Sequence, residues 1–177
     1  MLLRVVDTNV AMTAGGHNEV ATCACIDNAI DFIDRVMQGE VIVVIDDDFE
    51  ALDEYGGKLP SEKRSEDLAG QFLIYLYNYQ GDEERVRRMK LKRDSDFHYI
   101  DYPDNEGSWK TDVPRCKQFD EDDKKWVALA RRFKIDTGAD APIVNAADRC
   151  WLAFESYLNA TGIMLEFLCR EERKSGD

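Results

Sequence analysis

Val41-Ile42-Val43-Val44-Ile45, followed by Asp46-Asp47-Asp48, is the stretch that decides the fold. Five β-branched residues in succession leave this strand no wet face. That is the pattern of a parallel strand covered by helices on both sides. On its carboxyl side, Asp46 to Asp48 can cap a helix that runs through Phe49, Leu52 and Tyr55 to a stop at Gly56-Gly57. On its amino side, Ala21, Cys25, Ala29, Phe32, Ile33 and Val36 recur at helical spacing from about Asn18 to Met37, and Gly39 ends that helix. Before it, Leu2-Leu3-Arg4-Val5-Val6-Asp7 reads as a second buried strand. This strand runs into a polar turn at Asp7-Thr8-Asn9, and Gly15-Gly16 breaks the chain.

Downstream, residues 61–80 predict a helix with Leu68, Phe72, Tyr75, Leu76 and Tyr79 on one side. Arg85 to Arg93 is a basic stretch with no assigned structure. Alternation from Asp96 to Tyr102 predicts a short strand, and residues 103–118, with Pro103, Gly107 and Pro114, read as a loop. A helix from about Glu121 to Phe133 buries Trp126, Leu129, Ala130 and Phe133. Pro142 to Ala146 is a strand leading into Asp148, a helix follows to about Asn159, and Ile163 to Cys169 form the last strand. Strands alternating with helices predict a three-layer α/β/α domain with a mostly parallel central sheet. It spans residues 1–170, with 61–118 as a helical and loop elaboration and 171–177 as a charged tail. In such sheets, sites form beyond the carboxyl ends of the strands. Asp7 and Asp148 both stand where an apolar strand gives out.

A chain of 177 residues suits one domain, and it can bury roughly 70% of the unfolded chain's surface. Its 44% apolar and 33% charged residues are those of a globular protein rather than a disordered one. No apolar run approaches the roughly 20 residues of a membrane span. The opening residues lack the features of a signal peptide, so a cytoplasmic location is expected. The five cysteines are odd in number and irregularly spaced. Cys23-x-Cys25 is a poor zinc clip and paired spacings are missing, so packed free thiols are expected. The net charge of −13 argues against a dedicated, non-specific nucleic-acid binder, which is usually basic. A strongly acidic chain can instead hold its carboxylates for a cation.

Carboxylates gathered side by side raise one another's pKa unless a cation compensates them. Oxygen-only ligands favour hard ions such as Mg²⁺ or Mn²⁺. Such an ion can activate water and stabilise both oxygens of an in-line displacement at phosphorus.

Four segments carry a resemblance. Val6-Asp7-Thr8-Asn9-Val10 resembles the opening motif of PIN-domain nucleases, in which an aspartate ends the first strand. Glu54-Tyr55, in the helix after the second strand, resembles the second acidic position of that family. In the segment from Phe119 to Ala130, Asp123 stands three residues before Trp126 and seven before Ala130, like the family's third acid. Ile143-Val144-Asn145-Ala146-Ala147-Asp148-Arg149-Cys150-Trp151 resembles the fourth. The four motifs occur in family order and span Val6 to Trp151. The resemblance implies metal-dependent hydrolysis of phosphodiesters, usually in RNA, with Asp7, Glu54, Asp123 and Asp148 as both catalytic residues and ligands of Mg²⁺ or Mn²⁺. It also implies that Asn9 and Asn145 orient ligands or the substrate phosphate. Single-stranded DNA is a second substrate class, and an inhibitory antitoxin protein and a homodimer are partners met in the family. About 70 residues separate Glu54 from Asp123, longer than in compact toxin members, so 61–118 offers an added substrate or partner surface.

Each site has an ordinary structural alternative. Asp7 can cap a turn, Asp148 can cap a helix, and Glu50 and Asp53 compete with Glu54. Asp123 lies among Asp120, Glu121 and Asp122, all of which suit a helix N-terminus, and Asp120 is the nearest substitute for it. The basic residues Arg85, Arg87, Arg88, Lys90, Lys92 and Arg93 form either a solvated face or a strip for phosphates. Trp109 and Lys110 can meet a base and a phosphate, although a tryptophan packed on the domain is the commoner arrangement. His17 and His98 show no partner pattern. A catalytically silent PIN-like scaffold that binds RNA or protein is the alternative function. A phosphorelay receiver lacks its later residues in order, and a haloacid-dehalogenase phosphatase wants Asp-x-Asp where Asp7-Thr8-Asn9 stands.

Overall fold

The computed structural model describes residues 1–58 and 66–170. The first five residues of the helix expected over 61–80, and the tail from 171, lie outside the described residues. Five strands form one all-parallel sheet: β1 (Leu2–Val6), β2 (Val41–Asp46), β3 (Val86–Met89), β4 (Ile143–Asn145) and β5 (Leu165–Phe167). Their order is β3-β2-β1-β4-β5. Among the described residues, six helices flank the sheet: α1 (Thr8–Ala14), α2 (Cys23–Met37), α3 (Glu50–Lys58), α4 (Leu68–Tyr79), α5 (Lys124–Thr137) and α6 (Arg149–Ala160). Helix α5 packs on β1 to β4, while α1, α2 and α4 pack on one another.

Every residue of β2 is buried, as its unbroken apolar run requires. Each such aliphatic side chain contributes about 1.5–3 kcal/mol on leaving water. The chain leaves β1 towards β2 on one side and leaves β4 towards β5 on the other. The crevice at their carboxyl ends is therefore the topological switch point, where ligands bind in open α/β sheets.

The structure departs from the sequence-based expectation at four places. Asp7-Thr8-Asn9 is not a simple turn, because Asp7 N-caps the short helix α1 and its side chain accepts from the Asn9 amide. The third strand lies at 86–89, inside the basic stretch, and not at 96–102. Only Val86 is fully buried on this edge strand, where Arg87 and Arg88 keep the outer rim charged. The 96–102 segment is a loop closed by one antiparallel bridge between Arg93 and Tyr99. Finally, four of the five cysteines are paired, Cys25 with Cys169 and Cys116 with Cys150, with Cα separations of 5.3 and 5.1 Å. Cys23 is exposed and free. Disulfides persist mainly in oxidising compartments, which pulls against the cytoplasmic expectation.

The loop of residues 103–118 is fastened rather than loose. Trp109 is only 7% exposed and stacks on Tyr157 of α6 at 5.6 Å between ring centres. Asp104 accepts from the amides of Ser108 and Trp109 at 2.7 and 2.9 Å. Cys116–Cys150 then ties the loop to the first turn of α6. Trp109 is thus a packing residue and not a free stacking surface. Replacing Cys25 and Cys169 together by serine is expected to cost about 2–4 kcal/mol in denaturant unfolding. An unchanged midpoint and slope would contradict a covalent tie between α2 and the end of the sheet.

Candidate active site

The four acids arrive from four elements. Asp7 follows β1 and is 3% exposed. Glu54 lies within α3, Asp123 stands immediately before α5, and Asp148 N-caps α6 just after β4. Glu54 is the acid of α3 that turns to the switch point: its Oε1 accepts from Thr8 Oγ1 at 2.6 Å. Glu50 turns instead to Arg93 and Tyr99, and Asp53 is exposed. The other helix-terminal candidate, Asp120, is exposed and accepts from the Asp122 amide at 3.1 Å.

Two asparagines knit the ends of β1 and β4 together. Asn145 is fully buried; its side-chain amide donates to Asp7 Oδ2 at 3.3 Å, and its Oδ1 accepts from the Asp148 amide at 2.9 Å. Asn9 Oδ1 accepts from the Ala146 amide at 2.8 Å. Asp148 Oδ1 in turn accepts from the Cys150 amide at 2.6 Å. Both asparagines therefore orient the acidic residues through the backbone and through Asp7.

Charge in this cluster is unevenly compensated. Burial pushes the Asp7 carboxyl up to about 7; the Asn9 amide opposes the rise, Glu54 and Asp148 add to it, and Lys58 offsets part of it. Burial also pushes Asp123 up to about 9, with Asp7, Asp148, Asp120 and Glu54 each adding to the rise. Asp123 makes no capping hydrogen bond to α5, so its carboxyl is not committed to the helix end. Glu54 behaves differently. Burial raises it, but hydrogen bonds from Lys125, Lys58 and Thr8 outweigh burial and hold it below its ordinary value. Lys58 Nζ lies 2.5 Å from Oε1, and Lys125 Nζ is in close contact with Oε2.

Lysines thus neutralise one acid of the four and leave Asp7 and Asp123 opposing each other. That donor set, all oxygen with a deficit of positive charge, fits a hard divalent ion. The fit is electrostatic rather than close. Among the described residues, the one trio of acidic, His or Cys side chains with ligand atoms within 4.8 Å of one another is Asp94, Asp96 and His98. All three are exposed, and Asp94 Oδ1 already accepts from two backbone amides.

The basic residues disperse. Arg85 precedes β3 at the amino end of the sheet, opposite the acids, and sits 4.8 Å over the Tyr79 ring. Arg87 lies over Phe133, Arg88 faces Asp47 at 3.5 Å, and Lys90 is exposed beyond the strand. Lys110, with Arg115, Lys117 and Gln118, lines an open hollow of about 690 Å³ with no carboxylate on its wall. Thr8, Lys58 and Lys125 had no place among the sequence candidates. Only Lys58 left a trace there, four residues after Glu54 on one helix face.

Comparison with models of known protein families, with characterised proteins and with solved structures returned no match.

A carboxyl with a higher pKa in the fold than in the unfolded chain binds more protons when folded, so its contribution to stability declines as pH rises. For Asp7 and Asp123 the decline starts near their ordinary value of 3.8 and is complete only above about 7 and about 9. Without added metal, Asp123→Asn is therefore expected to raise the melting temperature at pH 8, where the buried carboxyl is driven to ionise against its acidic neighbours. Little gain is expected near pH 4. Thermal melts across this range check it, and a gain independent of pH would contradict the assignment.

Proposed function

We propose that this chain is a metal-dependent nuclease of the PIN-domain type that hydrolyses phosphodiester bonds in RNA. The observation that carries the reading is the convergence of Asp7, Glu54, Asp123 and Asp148 at the switch-point crevice, with Asp7 and Asp123 short of positive charge. These four residues would hold Mg²⁺ or Mn²⁺. When bound, the ion supplies Lewis-acid stabilisation of the charge that develops on the phosphoryl oxygens.

The protein's own contribution is orientation and charge. Asn145 and Asn9 tie Asp7 to the turn carrying Asp148. Lys58 and Lys125 place two ammonium groups beside Glu54, within reach of a phosphate arriving at the same crevice. The hollow lined by Lys110, Arg115 and Lys117 offers a local seat for the phosphate backbone on a chain whose overall charge repels it. Single-stranded DNA satisfies the same contacts and is the competing substrate.

Two observations favour a second reading, a silent PIN-like scaffold. Glu54 is already neutralised by two lysines, and no three of the four acids bring oxygens within 4.8 Å of one another. The two readings separate in one assay. Labelled RNAs and single-stranded DNAs are incubated with the protein in Mg²⁺, Mn²⁺ or EDTA. Cutting is expected with metal only, and Asp7→Asn and Asp123→Asn are each expected to slow it at least about 100-fold. Folded protein that cuts nothing in either metal, or cutting that survives both substitutions, would favour the scaffold.

A further inference from the structure

A cavity of about 270 Å³ lies between the start of α3, the loop of residues 93–105 and the residues leading into α5. Lys125 lines this cavity and also holds Glu54, so the cavity and the acidic crevice share one side chain. At its mouth stands Phe97, 76% exposed, with φ of 65°. An exposed aromatic ring alone is unremarked on a protein surface. A bulky residue in the left-handed backbone region is not, and it persists only where its surroundings enforce it.

Here the surroundings are explicit. Arg93 Nη1 donates to the Phe97 carbonyl at 2.9 Å, and the Phe97 amide donates to the Asp94 carbonyl at 3.2 Å. Asp94 Oδ1 accepts from the amides of Asp96 and His98, at 2.9 Å each. Arg93 Nη2 reaches both oxygens of Glu50 at 2.7 Å, the guanidinium carbon stands 4.2 Å over the Tyr99 ring, and the Tyr99 hydroxyl donates to Glu50. Glu50 and Glu54 are one turn apart on α3. The helix that delivers an acid to the crevice thus also bolts down the loop that presents Phe97. The result is a rigid aromatic surface at a fixed offset from the acidic centre.

We propose that this cavity is a base-binding subsite, in which Phe97 stacks on an unpaired base of a single-stranded RNA next to the phosphate held at the acidic crevice. Basic and acidic residues that line the rest of the wall are largely paired with each other, Arg93 with Glu50 and Lys124 with Glu121. The exposed ring is therefore the dominant contact, and recognition is by stacking, tolerant of base identity. Paired bases have no free face to offer, so the subsite selects single strands. The inference rests on the nuclease reading for the phosphate it adjoins, but stacking is measurable without cleavage.

The test is fluorescence anisotropy with the full chain carrying Asp123→Asn in Mg²⁺, using short labelled RNA that is single-stranded, duplex, or abasic at successive positions. Phe97→Ala is expected to weaken single-strand binding roughly 10-fold, and Phe97→Tyr to retain it. The Phe97 dependence is expected to vanish when one particular position is abasic. Equal affinities for Phe97→Ala and its parent would overturn the subsite, and so would equal Phe97 dependence with duplex RNA. Cleavage by the unaltered chain would then still stand for the nuclease. Conversely, Phe97-dependent binding by a chain that never cuts would keep the subsite and overturn hydrolysis. A parent that binds no single-stranded RNA would overturn the subsite and leave the nuclease reading to the cleavage assay.

Discussion

The whole arrangement depends on one costly placement, the Asp7 carboxyl buried at the end of a strand whose neighbours are dry. An ionised carboxylate away from water needs full compensation by charge or by several donors. Asp7 has an amide from Asn9 and a side-chain amide from Asn145, which satisfy oxygens without cancelling charge. The two nearby lysines are drawn to Glu54 instead. Asp123, approaching from α5, adds its own negative charge with no cap to occupy it. Asp7 caps α1, which is a stabilising role of its own, but the charge of both carboxyls is left without an ion pair among the described residues. The retained acids are understandable if a cation completes them.

The frame around the crevice explains how four acids stay near one another without a strong attraction between them. The Tyr55 hydroxyl donates to the Val6 carbonyl at 2.7 Å, anchoring α3 to the last residue of β1. The same ring packs edge-on against Trp126, three residues past Asp123, and against Phe72 of α4. One buried aromatic group therefore positions Glu54 and Asp123 relative to Asp7. On the other side of the switch point, Asn145 links β4 to both Asp7 and Asp148. The 103–118 loop is held to α6 by ring stacking and a disulfide, so this part of the chain between Glu54 and Asp123 is fastened to the domain.

How much of this was legible in the sequence follows from the kind of information each feature carries. The β2 run and the apolar end of β1 are local and periodic, and they appear where the pattern places them. Asp7, Asp123 and Asp148 stand at a strand end or a helix start, where hydrophobic patterning itself marks the spot, whereas Glu54 lies inside α3 among competing acids. Helix α1 was hidden because an N-cap and a turn use the same Asp-Thr-Asn chemistry, and Thr8 to Ala14 is too short for a periodic signal. Strand β3 was hidden because an edge strand with arginines on its rim does not alternate. Asp96 to Tyr102 does alternate, yet Asp94 draws the backbone amides of Asp96 and His98 into a loop. Cystine partners 144 and 34 residues apart leave no trace in spacing. Nor does the contact of Lys125 with Glu54, which exists only once α5 is laid against α3.

The most direct measurement of the central claim is a crystal of the protein grown or soaked with Mn²⁺ and read by anomalous scattering. The account expects a peak in the crevice bounded by Asp7, Glu54, Asp123 and Asp148, with at least one lysine withdrawn from Glu54. A peak confined to Asp94, Asp96 and His98, or none at saturating Mn²⁺ with both lysines still on Glu54, would contradict it.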